Sequence, residues 1–225
     1  MKKKILVIAS HPDDEVLGCG GTICKLTSLG NEVNVFFLSD GVSSRVEKNK
    51  NLKLKERNDS AYKAAKIMGI SSISFGNFPD NQMDSVPLLQ IVKKVEVELN
   101  INQPDIIFTH HSGDLNIDHQ IANRAVLTAC RPQGAKIIES ILFFEVLSST
   151  EWQASDTAPY FKPNWFFDIS DYIDQKIKAS EAYYQEMREW PHARSFKAIE
   201  SLANLRGSTI HVEAAEAFIL GRHIN

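Results

Sequence analysis

The sequence predicts an α/β protein with a Rossmann-like, three-layer fold: a mainly parallel sheet with helices on both faces. Two observations support this fold class. Short apolar runs alternate along the chain with longer amphipathic stretches, as in successive βαβ units. The 225 residues also suffice for one sizeable core, and no repeat or Pro/Gly-rich linker divides them. We therefore expect a single domain over residues 1–225.

The strand predictions rest on short apolar runs, several of them rich in β-branched and aromatic residues. The last of these runs could add an edge strand to the sheet. In chain order the predicted strands are Lys4–Ala9, Glu32–Leu38, Ser72–Phe75, Asp105–Thr109, Ile137–Phe144 and Trp165–Ile169.

The helix predictions rest on apolar residues repeating at helical spacing between these strands. The last quarter of the chain has this spacing almost throughout, so we expect it to be helical. In chain order the predicted helices are Gly20–Leu29, Leu52–Met68, Ser85–Leu99, Asp118–Ala129, Asp171–Met187, Ser195–Asn204 and Val212–Leu220.

Composition limits the partners and the compartment. The formal net charge of −3 gives no concentrated basic footprint, so nucleic acid is not an expected partner. No apolar run approaches membrane-spanning length, and the lysines at the start of the chain precede no typical signal-peptide sequence. The three cysteines, Cys19, Cys24 and Cys130, have no paired spacing. This cysteine usage predicts a reducing, cytoplasmic location.

Polar clusters follow four of the predicted strands. They are Ser10–Asp14, Ser39–Gly41, Phe78–Asn81 and Thr109–His111. In open α/β sheets, ligands bind beyond the carboxyl ends of the strands. The four clusters therefore predict a functional site on one rim of the sheet.

The densest cluster is the acidic loop, His11-Pro12-Asp13-Asp14-Glu15. Helix capping explains one or two of its acids, but not three acids together with a histidine. The following Gly18–Gly21 segment lies too far past the strand for a dinucleotide fingerprint, and acids would repel a pyrophosphate. We interpret it as a tight helix start. A divalent metal explains the acidic loop better, because zinc prefers nitrogen and oxygen ligands.

A catalytic zinc needs three protein ligands and an open position, so another strand tip should supply the third ligand. The segment Asp105–His119 is the candidate. His110 and His111 are adjacent in an extended segment, so at most one of them should face the site. His119 begins a predicted helix, with Asp118 as its cap or as an outer-shell partner.

These motifs resemble the LmbE-like, or PIG-L, family of zinc-dependent N-acetylglucosaminyl deacetylases. The acidic loop after the first strand carries the resemblance, together with the Asp-x-Asn-x-Asp-His pattern at Asp114–His119. Weaker matches span nearly the whole chain: Leu38–Gly41, Glu56-Arg57, Phe78–Asn81 and Ala215–Phe218. The resemblance implies an LmbE-like deacetylase that acts on a small amino sugar or a glycoconjugate. Related proteins often assemble, so a homo-oligomer is a further expectation.

The resemblance also implies residue roles. His11, Asp14 and His119 would bind Zn²⁺, with another divalent metal such as Fe²⁺ as an alternative, and Asp13 would be the general base. Glu15 would cap the following helix or orient His11. In the family pattern Arg57 would bind substrate, and a surface charge on its helix is the alternative. Asp80 and Asn81 are candidate contacts to sugar hydroxyls, or part of an ordinary turn. His111 is a further candidate substrate contact, and Asn116 and Asp118 join Asp13 as candidate catalytic residues.

Asn116 is the one departure from the family pattern, which usually has a histidine there. An asparagine amide can donate a hydrogen bond to an oxyanion, but it cannot supply a proton at neutral pH. Asp13, His111 or His192 could then protonate the leaving amine. The alternatives are a non-catalytic relative that binds metal and sugar, and a hydrolase of another amide or ester.

Overall fold

The computed structural model describes residues 2–44, 49–132, 137–154 and 156–225. Within these ranges seven strands form one sheet. They are β1 (Lys4–Ala9), β2 (Glu32–Ser39), β3 (Ser72–Phe78), β4 (Ile106–His110), β5 (Ser140–Phe144), β6 (Trp165–Asp168) and β7 (Ala215–His223). Their order across the sheet is β3-β2-β1-β4-β5-β7-β6.

The strand order fixes where a ligand can bind. Strands β3, β2, β1, β4 and β5 are parallel, and β7 runs antiparallel between β5 and β6. The strand order reverses at β1: β2 and then β3 lie on one side of it, and β4 and then β5 lie on the other. Such a reversal opens a crevice beyond the carboxyl ends of the two central strands. The loops after β1 and β4 both enter it.

Helices cover both faces of the sheet, which confirms the predicted three-layer α/β class. They are α1 (Asp14–Ser28), α2 (Lys50–Met68), α3 (Leu88–Asn102), α4 (Ile117–Ala129), α5 (Ile173–Glu181) and α6 (Phe196–Ile210). Alternate residues of β1 belong to two cores: Ile5 and Val7 share one with α1, α2, α5 and α6, and Leu6 and Ile8 share the other with α3 and α4. No helix of the described ranges combines the length and hydropathy needed to cross a membrane.

The prediction of a helix over Val212–Leu220 is wrong, because this stretch enters strand β7, Ala215–His223. Alanine and glutamate favour a helix, but the pairing sites between β5 and β6 determine the local structure here. Helix α5 is also shorter than predicted. It spans Ile173–Glu181, and turns follow over residues 182–186.

Helix α1 begins earlier than predicted, at Asp14, and is interrupted at Cys19, whose φ of −149° is not helical. The Gly18–Gly21 segment therefore lies inside a broken helix and is not its start. A side chain on Gly18 would collide with the ring of Phe144, which packs directly against the segment. The break lets the first turn of α1 keep its own direction behind the acidic loop.

The break in α1 leaves backbone groups without helical partners, and a buried ion pair binds them. Lys176 Nζ donates to the carbonyl of Leu17 at 2.9 Å. The Glu216 carboxylate accepts from the amides of Gly21 at 3.0 Å and Thr22 at 2.7 Å. Lys176 and Glu216 are 2.5 Å apart, with about 5% of either side chain exposed. The pair thus provides hydrogen-bond partners for backbone groups on both sides of the break.

Candidate active site

The acidic loop turns sharply between β1 and α1. Asp13 occupies the N-cap position of α1 with φ 130°, a left-handed conformation uncommon for aspartate. The backbone amide of His11 donates to Asp14 Oδ2 at 2.8 Å. Both aspartates are buried. The turn therefore directs two neighbouring carboxylates into the crevice from adjacent backbone positions.

Three side chains converge where the loops after β1 and β4 meet. Asp14 Oδ2 lies 3.2 Å from His11 Nδ1 and 3.3 Å from His119 Nε2, and these two nitrogens are 3.4 Å apart. Asp14 Oδ1 is buried and has no hydrogen-bond partner among the described residues. Two imidazole nitrogens and one carboxylate match a zinc site that keeps its fourth position open. The residues present thus fit the metal that the sequence predicts.

Two further carboxylates support the rings of this cluster. Asp114 Oδ1 lies 3.1 Å from His119 Nδ1, and Asp114 also accepts from Thr150 Oγ1 at 2.6 Å. Asp118 Oδ2 lies 3.1 Å from His11 Nε2. Carboxylates in these positions orient metal-binding imidazoles, so that the opposite ring nitrogen faces the metal. The geometry gives Asp118 a positioning contact with His11.

The charges of the cluster oppose one another. Burial alone would lower the pKa of His119, but the carboxylates of Asp14 and Asp114 outweigh burial and raise that pKa to about 9. Burial also disfavours protonated His11, yet Asp118, Asp14 and Asp80 hold its pKa well above the usual value. Burial raises the pKa of Asp14, and the imidazoles of His119 and His110 outweigh it and hold that pKa well below the usual value. The surrounding carboxylates therefore favour positive charge at this point of the site.

The two adjacent histidines at the end of β4 do point in different directions. His110 stacks on His119 with ring centroids 3.9 Å apart, and its Nε2 accepts from the amide of Ser10 at 2.8 Å. His111 Nε2 instead lies 2.8 Å from the carbonyl oxygen of Pro159, and its ring packs against Phe161. His111 therefore does not reach the cavity, contrary to the expectation that it contacts substrate.

Asp13 is held at one oxygen and left free at the other. Its Oδ2 accepts from Arg194 Nη1 at 2.6 Å and lies 3.4 Å from Arg57 Nη1. Its Oδ1 has no partner among the described residues. Burial raises the pKa of Asp13, and the guanidinium groups of Arg194 and Arg57 oppose that rise. The arrangement fixes the carboxylate and leaves one oxygen able to accept a proton.

Arg57 and Arg194 reach Asp13 by different routes. Arg57 comes from α2, donates to the carbonyl of Pro12 at 2.9 Å and pairs with Glu186. Arg194 also donates through Nε to Ser148 Oγ at 2.7 Å. Sequence reasoning missed Arg194, which lies 181 positions from Asp13 in a loop with no recognisable motif.

A cavity of about 260 Å³ opens beside the cluster. Asp13, His11, Asp80, Asn81 and Asn116 are among the residues that line it. Another part of the lining, here termed the distal wall, comes from two loops distant in sequence and comprises Ser148, Trp152, His192 and Arg194. A volume of this size suits part of a small ligand, and its lining is largely polar.

Asn116 and its neighbours form a connected edge of the cavity. Asn116 is the N-cap of α4, its Oδ1 accepting from the Asp118 amide at 2.9 Å, so Asp118 is not the cap. Its Nδ2 donates to Asn81 Oδ1 at 2.8 Å. Asp80 lies 3.2 Å from His11 Nε2. Burial would raise the pKa of Asp80, but His11 and Ser44 lower it to about 2.

Glu15 supports the backbone of the acidic loop and does not contact His11. Its carboxylate accepts from the Asp13 amide at 3.0 Å and from the Tyr183 hydroxyl at 2.7 Å. The first of these bonds is a capping contact at the start of α1, one of the two roles expected for Glu15. Burial raises the pKa of Glu15 to about 8.

Fold and site together define an α/β protein with a histidine–aspartate cluster at the reversal point of a parallel sheet. A family model described as PIG-L, GlcNAc-PI de-N-acetylase, matches residues 6–130, which include the acidic loop and the complete cluster. The chain therefore belongs to the PIG-L family.

Relatives within this family are described as deacetylases. The chain is 27% identical over 195 residues to a diacetylchitobiose deacetylase of Thermococcus kodakarensis, covering 83% of this chain and 71% of the relative. It is 25% identical over 207 residues to a probable N-acetyl-α-D-glucosaminyl L-malate deacetylase 2 of Bacillus cereus, covering 86% and 90% of the two chains.

Solved structures confirm the fold. The conserved protein TT1542 of Thermus thermophilus superposes with a TM-score of 0.80 at 24% identity, covering 99% of this chain and 96% of that one. The 4-carboxy-2-hydroxymuconate hydratase GalB of Pseudomonas putida gives 0.75 at 21% identity, covering 100% and 98%. Because the fold also carries a hydratase, activity has to be argued from the site.

Proposed function

We propose that the protein is a zinc-dependent hydrolase that removes the N-acetyl group from an amino sugar or its conjugate. The observation that carries this proposal is the convergence of His11, Asp14 and His119 next to an Asp13 carboxylate with one unpartnered oxygen. The relatives' names, which include diacetylchitobiose deacetylase, favour an N-acetylated sugar as the substrate class.

The two histidines and Asp14 would hold the metal, which when bound lowers the pKa of water and polarises a carbonyl. Asp13 Oδ1 is the group that takes a proton from the attacking water. Arg194 and Arg57 hold Oδ2, so the basic oxygen stays directed at the reacting atoms.

The remaining residues of the cavity bind and orient the substrate in this proposal. Asn116 keeps its amide nitrogen at the cavity edge, where it donates to the developing oxyanion in addition to Asn81. Asp80 and Asn81 offer polar atoms to sugar hydroxyls. Arg57 is already engaged by Asp13, Pro12 and Glu186, so we assign it to holding Asp13 as well as to binding substrate.

The proposal is tested by acetate release from N-acetylglucosamine conjugates and N,N′-diacetylchitobiose, with bound metal measured by elemental analysis. Asp13→Asn should lower kcat by roughly 10²–10⁴-fold, the usual contribution of a general base, without loss of metal. Asp84→Asn, at an exposed position of the turn at 83–85, is the matched control and should leave kcat unchanged. Zinc-loaded wild type that releases no acetate from the panel would refute the deacetylase.

A second candidate, a non-catalytic relative that binds metal and sugar, is favoured by Asn116 alone. It predicts bound zinc and measurable sugar binding without turnover. Reconstitution of metal-free protein with Zn²⁺ and with Fe²⁺, followed by the same assay, separates this candidate from an iron-dependent enzyme. Activity with Fe²⁺ alone would overturn the choice of zinc.

A further inference from the structure

Among the described residues, three arginines line the active-site cavity, and two of them are bound to carboxylates of the protein. Arg57 contacts Asp13 and pairs with Glu186, and Arg194 donates to Asp13. These contacts neutralise both guanidinium groups and hold them in place. The third arginine, Arg188, is exposed and forms no ion pair with a described residue.

The guanidinium group of Arg188 is held at one nitrogen and open along one edge. Its Nη1 donates to the backbone carbonyls of Gln185 and Met187, both at 2.8 Å. Its Nε and Nη2 have no hydrogen-bond partner among the described residues. The hydrogens of Nε and Nη2 lie side by side and match two oxygens of a carboxylate or a phosphate. The open edge of Arg188 therefore has the geometry of a bidentate anion site.

The other carboxylates of the cavity lining do not compensate this positive charge. Asp80 lies 3.2 Å from His11 Nε2, and Glu186 is paired with Arg57. A charged hydrogen bond to an anion is roughly twice as strong as a bond to a neutral group such as a sugar hydroxyl. An anionic group of a ligand is therefore the chemistry that suits Arg188 best.

Arg188 belongs to the same part of the cavity lining as the arginine that holds the general base. Its backbone amide donates to the carbonyl of Arg194 at 2.9 Å, and Arg194 donates to Asp13 at 2.6 Å. An anion on Arg188 and an acetyl group at Asp13 would thus share one cavity of about 260 Å³. This volume suits part of one small ligand, so we take both groups to belong to the same substrate molecule.

We propose that Arg188 is a specificity-determining residue that binds an anionic group, a carboxylate or a phosphate, which the substrate carries beyond its N-acetylated sugar. This inference rests on the proposed deacetylase function and narrows its substrate class to acidic conjugates of the amino sugar. Arg188 acts on binding and takes no part in proton transfer. Asp13 and the metal ligands act on the amide of acidic and neutral conjugates alike.

Two pairs of glycosides isolate the charge. The carboxymethyl glycoside of N-acetylglucosamine has a carboxylate, and its carbamoylmethyl analogue has a neutral amide of the same size. N-acetylglucosamine 1-phosphate, beside the methyl glycoside, tests a phosphate. Arg188→Gln removes the charge and keeps an amide donor, whereas Arg188→Lys keeps the charge without the bidentate edge. Arg124→Gln, at an exposed position of α4 outside the cavity lining, is the matched control.

We expect the zinc-loaded wild type to prefer an acidic glycoside over its neutral partner by about tenfold in kcat/KM, chiefly through KM. Arg188→Gln should lose this preference, Arg188→Lys should keep part of it, and Arg124→Gln should keep all of it. Added salt should weaken the preference, since it screens the charge. A preference in one pair alone would support the subsite and identify its anion. Equal kcat/KM within both pairs, or a preference unchanged in Arg188→Gln, would overturn the role of Arg188.

Calorimetry separates this inference from the proposed function. The same glycosides are titrated into zinc-loaded Asp13→Asn, in which turnover should be slow, and into the double variant with Arg188→Gln. The acidic glycoside should bind about tenfold more tightly in the first protein and without preference in the second. Wild type that releases acetate from none of the glycosides would refute the deacetylase. The ratio of Kd values would then still decide the anion site, and equal values in Asp13→Asn would overturn it.

Discussion

The acidic loop and the distal wall line the same cavity and meet where Arg194 bonds Asp13, but they are encoded very differently. In the acidic loop, His11, Asp13 and Asp14 lie within four consecutive residues, and the turn after β1 sets their geometry. In the distal wall, Ser148, Trp152, His192 and Arg194 come from two loops some forty positions apart. The first region holds two residues of the proposed metal site in a local motif, whereas the second exists only after folding.

This difference assigns separate tasks to the two regions. The acidic loop supplies two of the three atoms that converge as a metal site. The distal wall contacts Asp13 at Oδ2 through Arg194 and adds an imidazole to the cavity. We expect changes at His11 and Asp14 to alter metal content, and changes at Asp13 or in the distal wall to alter turnover in a protein that still holds its metal.

The largest expected effect comes from His11→Ala. It removes one of three ligand atoms and leaves Asp118 and Asp80 without their imidazole partner. Loss of a residue that only orients a metal ligand lowers metal affinity by roughly 10–100-fold. Loss of the ligand His11 itself should lower it by more, and acetate release should fall to background. Elemental analysis after gel filtration, beside the activity assay, measures both. Full metal content in His11→Ala would contradict the proposed ligand set.

The same site should show a proton-linked metal affinity. The pKa values of His11 and His119 are both raised in the metal-free site, the second to about 9. Metal binding must therefore displace protons at neutral pH, so zinc affinity should rise with pH from 6 to 8. Competition with a chelating dye should show a rise of at least about tenfold per pH unit. A flat profile would mean that metal binding releases no protons from the two imidazoles.

The sequence was most informative where chemistry and backbone are local. The parallel strands followed from apolar runs, and the acidic loop followed from residue types within one turn. Strand β7 could not be predicted in this way, because its alanines and glutamate favour a helix until β5 and β6 flank it. Arg194 was missed for the related reason that its partner Asp13 is 181 positions away.

A moderate effect is expected from the ion pair that holds the break in α1 behind the acidic loop. Lys176→Met removes the partner of Leu17 and leaves the buried Glu216 carboxylate without its cation. Breaking such a buried pair costs roughly 3–5 kcal/mol of unfolding free energy. Denaturant unfolding of metal-free protein measures this loss without a contribution from metal binding.

Lys3→Met is the matched control, because Lys3 and Glu139 form a pair with 37% and 39% of their side chains exposed. Its cost should be much smaller than that of Lys176→Met, because solvent screens an exposed pair. Equal costs for the two variants would show that Lys176 and Glu216 contribute no more than a surface pair.

The smallest effect, and the sharpest test of the distal wall, is expected from Arg194→Lys. Lysine keeps a positive charge but cannot bond Asp13 and Ser148 together, since it lacks the planar fork of arginine. Asp13 should then be less well oriented, and kcat should fall about tenfold, or roughly 1.4 kcal/mol. Metal content and Tm should not change.

Arg206→Lys is the control, because Arg206 donates two hydrogen bonds of 2.7 Å to Glu145 and does not line the active-site cavity. If both variants lose the same activity, Arg194 acts on stability alone. If only Arg194→Lys turns over slowly while fully loaded with metal, the distal wall orients the base that the acidic loop provides.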